Sequence, residues 1–212
     1  MNTFNQIEKE AKKYFVRAKT CHDWEHTLRV YKLCIHIGKK EKADIKILKL
    51  AAMLHDIGRP EDIKSKGKIC HAELGTKLAR QILKKYNLKE EVIEKIAHCI
   101  ECHRFRNDKI PQSREAKILF DADKLDAIGA VGIGRDFMFA SEIGAKFHDK
   151  NVDIKTTREY TKEDTAYREF LAKLRFIKNK LMTKEGKRIG RERHKYMSEF
   201  FERLNKEVDG DL

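Results

Sequence analysis

The chain has 212 residues, 41% of them apolar, and a formal net charge of +13. That is enough for one domain with a sizeable core, and no run of 18 or more apolar residues marks a transmembrane span. The polar opening NTFNQIEKE holds no apolar signal core, and five sparse cysteines suit a reducing compartment, so a cytoplasmic protein is expected.

Apolar residues recur at three-to-four spacing along most of the chain, and strand-like alternation is nearly absent, which predicts an all-α fold. Helices are expected over roughly 3–18, 23–39, 41–57, 71–85, 89–103, 112–128, 130–146, 163–182 and 186–206, joined by short connections as in a helical bundle. Asn87 and the stretch 107–111 mark breaks, and Pro111 ends or begins a helix. The polar piece 147–162 is read as a loop or flap, with Arg158 as a phosphate contact if it covers a substrate. A single domain over 1–212 is expected, with residues 163–206 as a helical extension whose apolar stripes are packing faces.

The lysines are dispersed among acids, without Arg/Gly repeats or the aromatic–basic interleaving of stacking surfaces. Neither specific nucleic-acid binding nor a membrane partner is expected; the positive charge suits an anionic small molecule. Cys99 and Cys102 form a CxxC, but the second pair that a structural zinc site would want is missing.

The chemistry is concentrated in a few polar residues on apolar helices. His55 and Asp56 end the stretch LKLAAMLHDIG, where a buried carboxylate is expensive unless something neutralises it. Adjacent helix residues diverge by about 100°, yet both can reach one ion at the helix edge. Gly58 then permits a turn or a close approach, and Pro60 marks the exit. A divalent cation is the natural compensator; an arginine such as Arg59 or Arg29 is the alternative. His26 shares a helix face with Val30 and Leu33 and is either a ligand or a hydrogen-bonded core histidine. Asp123 lies in ILFDADKLDAIGAVGIGR, where Asp121, Asp123 and Asp126 crowd an apolar helix. Asp123 is assigned to the metal, while Asp126 either orients a histidine or pairs with Lys124 or Arg135.

His71, opening a helix as HAELG, and His98, within KIAHCIECH, are read as contacts to phosphate or the transition state, or as ligands of a second ion bridged by Asp56. His103 is a weaker version of the same case. His22 either caps a helix or touches the pocket, and His36, His148 and His194 are surface or tertiary hydrogen-bonding residues.

In order along the chain, His26, the His55–Asp56 doublet and Asp123 resemble the H…HD…D signature of the HD-domain metal-dependent phosphohydrolase superfamily. The flanks CHDWEHTLRVYKL, LAAMLHDIG and HAELG, and the tail MTKEGKRIGRERHKYMSEF, extend the likeness over nearly the whole chain. The resemblance implies an all-helical HD domain with a metal in its core, held by His26, His55, Asp56 and Asp123. Manganese is the favoured ion, with magnesium, cobalt, nickel or iron as alternatives. A second ion would use extra histidines such as His71 and His98. It also implies hydrolysis of phosphoesters or nucleotide anhydrides, with nucleoside triphosphate to monophosphate and pyrophosphate as the leading reaction. A phosphomonoesterase or phosphodiesterase is the alternative enzyme, and a metal-retaining regulatory or nucleic-acid-binding protein the alternative of another class. Asp56, His71 and His98 are the catalytic candidates, and Lys124, Arg29, Arg59 and Arg135 the phosphate-binding ones. The expected partner is a phosphorylated small molecule, a nucleotide, bound by a monomer or homodimer. One departure is clear. Where some members place an acid three or four residues after the doublet's aspartate, this chain has Arg59 and Pro60, and its next acids are Glu61 and Asp62.

Overall fold

The computed structural model describes residues 2–16, 23–104 and 109–211 and is built from helices, with no strand among the described residues. Cys21, His22 and Asn107 lie outside the described residues. The chain divides into two compact units, Met1–Asp123 and Lys124–Leu212.

The first unit contains α1 (Thr3–Lys12), α2 (Trp24–Lys40), α3 (Ile45–Leu54), α4 (Arg59–Lys64), α5 (His71–Lys85), α6 (Glu90–Cys102) and nearly all of α7 (Arg114–Leu125). α5 packs on α6, α2 on α3, and α3 on both α6 and α1. The core between them is aliphatic, with Ile37, Leu48, Leu54, Leu83, Ile93, Ile96 and Ile100 fully buried. Burial of such side chains is worth about 1.5–3 kcal/mol each, and it is this packing that fixes the helix ends where the polar residues lie.

Two starts are set by aspartates. Asp23 accepts from the His26 N–H at 2.8 Å, capping α2 at the turn that carries His26. Asp44 accepts from the Lys46 and Ile47 N–H groups at 2.8 and 3.3 Å and caps α3. The helix expected from residue 41 therefore begins at Ile45, because Lys42 takes a positive φ of 55° and interrupts it. It also stops early, at Leu54, and the doublet lies in the turn that follows. The six-residue α4 has no counterpart among the expected helices; Pro60 stands in its first turn, where a missing N–H costs nothing.

The second unit contains α8 (Gly129–Glu142), α9 (Ala166–Ala172) and α10 (Lys184–Asp209), and a 3-10 turn over Leu174–Asn179. The continuous helix expected over 163–182 is thus broken at Lys173, whose φ/ψ of −140°/−52° leaves the helical region. The apolar stripes do pack on each other: the Phe170 and Phe201 rings stack with centroids 4.8 Å apart. The polar segment expected as a flap is a built loop. Its neck closes through the Lys146 N–H to the Lys162 carbonyl at 2.8 Å. Buried Arg168 reaches into it, donating to the Thr157 carbonyl and hydroxyl at 2.9 Å each while pairing with Asp164 at 2.9 Å. Arg158 is exposed on this loop. No helix among the described residues is long and apolar enough to cross a membrane.

Candidate metal centre

Polar residues from separate elements of the first unit meet in its interior. His26 comes from α2, His55 and Asp56 from the turn after α3, His71 from the first position of α5, and His103 from the cap of α6. All five are no more than 1% exposed. Asp123, near the end of α7, has a side chain 12% exposed.

Asp56 is the hub. Its Oδ2 lies 3.7 Å from His26 Nε2 and 3.8 Å from His55 Nε2. Its Oδ1 lies 3.7 Å from His71 Nε2 and 3.5 Å from His103 Nε2. His26 Nε2 is also 3.4 Å from His55 Nε2 and 3.3 Å from Asp123 Oδ1. Two sets emerge, His26–His55–Asp123 and Asp56–His71–His103, each offering one donor atom per residue within 4.8 Å of the others.

The imidazoles are aimed by their other nitrogen. His55 Nδ1–H donates to the Ala52 carbonyl at 2.8 Å, and His103 Nδ1–H donates to the Ile100 carbonyl at 2.5 Å. Both acceptors lie three residues back, at the ends of their helices, where carbonyls lack helical partners. His71 Nδ1 instead meets Asp62 Oδ2 at 2.6 Å. Burial lowers the His55 pKa to about 4 and that of His71 to about 2, so both rings are neutral at pH 7 and keep a lone pair on one nitrogen. Arg59 donates to Asp56 Oδ2 and to Asp62 Oδ2, both at 3.4 Å. Burial opposes its charge, but Asp56, Asp123 and Asp62 together raise its pKa above the ordinary guanidinium value.

Close packing makes this assembly possible. A Cβ on Gly58 would stand 2.4 Å from the His71 carbonyl oxygen and 2.8 Å from the Gly75 nitrogen, so the turn after the doublet crosses directly over α5. Gly58 has an ordinary φ of −86°; it is close approach, not a left-handed backbone, that requires glycine there.

Of the residues singled out from sequence, His26, His55, Asp56, Asp123 and His71 come together, with Arg59 beside them. His98 is corrected. It is half-buried, and its Nε2 accepts from the Gln112 N–H at 3.2 Å while Nδ1 faces Cys102 Sγ at 3.6 Å. It shares a helix stripe with Glu91, Glu94 and Lys95, all exposed, whereas His103 continues the buried stripe of Ile96, Cys99 and Ile100. That spacing was readable, and it names His103. Asp62 had no such signal: it reaches His71 only because Lys66 and Gly67, with φ of 54° and 80°, fold the chain back after α4. Arg29 lies half-buried on α2, and Lys124 is half-buried at the start of the second unit. Within that unit Arg135 pairs with Asp126 at 2.9 Å, one of the pairings expected for that aspartate. The described cysteines contribute no donor to either set; Cys99 is buried with its thiol pushed up to about 12 by that burial.

The HD domain profile matches residues 23–128, half of the chain and the segment from the α2 cap through Asp123. The chain belongs to the HD-domain family. The HD-domain chain is 37% identical over 193 residues to YpgQ of Bacillus subtilis, covering 89% of this chain and 85% of that protein. Its fold superposes on the crystal structure of YpgQ in complex with ADP with a TM-score of 0.75, at 30% identity, over 99% of this chain and 100% of the other. An HD-superfamily hydrolase from Bacillus thuringiensis matches with a TM-score of 0.74 at 27% identity, over 97% and 96% of the two chains. The chain is accordingly an enzyme of the metal-dependent phosphohydrolase class.

The residues present fit a divalent ion. Neutral imidazoles with Nε2 turned inward beside carboxylates are the donor set that an intermediate cation prefers. The His71 Nε2 is buried and has no hydrogen-bond partner among the described residues, which an ion would supply.

Proposed function

We propose that this HD-domain protein hydrolyses nucleoside triphosphates to monophosphate and pyrophosphate at a centre with two adjoining metal positions. His26, His55, Asp56 and Asp123 would hold one ion, manganese being favoured, and Asp56, His71 and His103 a second. Such ions supply Lewis acidity toward phosphoryl oxygens and lower the pKa of water at the site. The observation that carries the reading is the division of Asp56: one carboxylate oxygen faces His26 and His55, the other His71 and His103.

The chain's own residues do the rest. Asp56 and the imidazoles define a polar wall in which His55 and His103 are held by Nδ1–H bonds made before any ligand arrives, so little reorganisation is needed during reaction. Arg59, 19% exposed at its side chain, is the cation at the edge of the cluster and the candidate to meet a phosphate. Arg29, one turn after His26, and Lys124, next to Asp123, are the further phosphate-facing candidates, while Arg135 neutralises Asp126. Water adds to the α-phosphorus, the bond from that phosphorus to the bridging oxygen breaks, and pyrophosphate leaves while the proton of the water passes to solvent. The ADP bound to YpgQ supports a nucleotide as the substrate class.

Product analysis tests the reading: metal-stripped protein is reloaded with Mn²⁺ and given nucleoside mono- and triphosphates, beside Asp56→Ala. Pyrophosphate from triphosphates, absent in the variant, supports it. Orthophosphate from monophosphates would replace it with a phosphomonoesterase, and no turnover with metal bound would favour a regulatory role.

A further inference from the structure

We propose that Asp62 is a positioning residue that holds His71 in the Nδ1–H form, with the Nε2 lone pair facing Asp56 and His103. His55, His71 and His103 share one requirement: Nδ1 must carry the proton, so that the Nε2 lone pair faces the cluster. For His55 and His103 the backbone meets it, because each stands at the end of a helix and finds the carbonyl three residues back, Ala52 or Ile100. His71 cannot use that device. It is the first residue of α5, and the chain before it, Ser65 to Cys70, is turn and loop. An acceptor must come from elsewhere, and the side chain of Asp62, 6% exposed, reaches Nδ1 at 2.6 Å. The backbone reversal at Lys66 and Gly67 delivers it: the Gly67 N–H returns to the Asp62 carbonyl at 2.9 Å. Arg59 then spans Asp62 and Asp56, tying the orienting carboxylate to the hub.

A carboxylate does more than a carbonyl. It fixes the ring and polarises the Nδ1–H bond more strongly than a neutral acceptor does. The distinction also answers the departure noted in the sequence. With Arg59 and Pro60 where some relatives carry an acid, the acid of this chain, Asp62, arrives two residues later and acts on a histidine.

The tautomer is read on metal-stripped protein labelled with ¹⁵N-histidine, from long-range ¹H–¹⁵N correlations, with His71 assigned by the loss of its signals in His71→Asn. Wild type is expected to carry the proton on Nδ1. Asp62→Ala is expected to move a large share of it to Nε2, and Asp62→Asn, whose carbonyl can still accept, to keep it on Nδ1. An Nε2–H ring in the wild type, or an unchanged ring in Asp62→Ala, overturns the proposal. The consequence for metal rests on the two-position centre proposed above. There, Mn²⁺ titration of Asp62→Ala should show one equivalent weakened ~10–100-fold and the other unchanged, which also reports that the variant is folded. A wild type that takes up only one equivalent would defeat the two-position centre, while the tautomer measurement would still decide the role of Asp62.

Discussion

The backbone of Gly58 crosses that of His71 so closely that a Cβ on the glycine would stand 2.4 Å from the His71 carbonyl oxygen. The turn bearing the doublet and the start of α5 are therefore locked to one another, and backbone at a contact cannot yield as a flexible side chain does. Gly58→Ala should destabilise the protein by about 1–3 kcal/mol and weaken Mn²⁺ binding by displacing His71. Thermal unfolding and Mn²⁺ titration of the variant check both effects; an unchanged pair would show that the crossing has slack.

His103 and His98 make a paired test. His103→Ala removes an inward-facing ring and should lower kcat/KM by more than the ~10–100-fold that an outer partner of a metal ligand is worth. His98→Ala, on the polar stripe of α6, should stay within about twofold of wild type, since changes at partly exposed sites are usually small. Steady-state kinetics on both variants decides between them.

Metal removal should register in stability as well as in activity. A ligand that binds only the folded state at 100 times its Kd adds about 2.7 kcal/mol. Chelation should accordingly lower the melting temperature of the wild type and leave that of Asp56→Ala nearly unmoved, which scanning calorimetry with and without Mn²⁺ would show.

Asp136 carries the pH prediction. It is buried on α8, and its Oδ2 has no hydrogen-bond partner among the described residues. That burial, joined by the nearby Glu169 carboxylate, raises its pKa well above the ordinary value. The folded state then binds a proton that the unfolded chain has already released, so stability falls as pH rises from the unfolded pKa toward the raised folded one. Asp136→Asn removes this slope. Its melting temperature should match wild type near pH 4 and exceed it at pH 8.

Arg168 tests the loop of the second unit. Removing it strands a buried Asp164 and frees Thr157, a loss of about 3–5 kcal/mol. Arg168→Ala should loosen the backbone around the exposed trypsin sites Lys155 and Arg158 and speed cleavage there, as limited proteolysis followed by mass spectrometry would reveal.

Periodicity made most of the fold legible. α5 was expected over 71–85 and runs over those residues, and α2 and α6 differ from expectation by only a residue or so at each end. What periodicity cannot carry is a six-residue helix such as α4, too short to show a repeat, or a 3-10 break inside an apolar stripe. In the site, apolar flanks pointed to His26, the doublet and Asp123. His103 reads in sequence as a weaker version of His98, although the stripe of Ile96, Cys99 and Ile100 leads to His103. Asp62 was invisible for a different reason: its contact depends on two left-handed residues, a tertiary fact with no sequence period.

The cluster gathers its donors from positions as far apart in the chain as His26 and Asp123, by way of the doublet, His71 and His103. An ion shared by those side chains would act as a removable cross-link, closing in the folded state a set of long loops that the unfolded chain leaves open. Metal supply would then govern how long the first unit survives in the presence of proteases, and a cell starved of the ion would lose the protein itself along with its turnover.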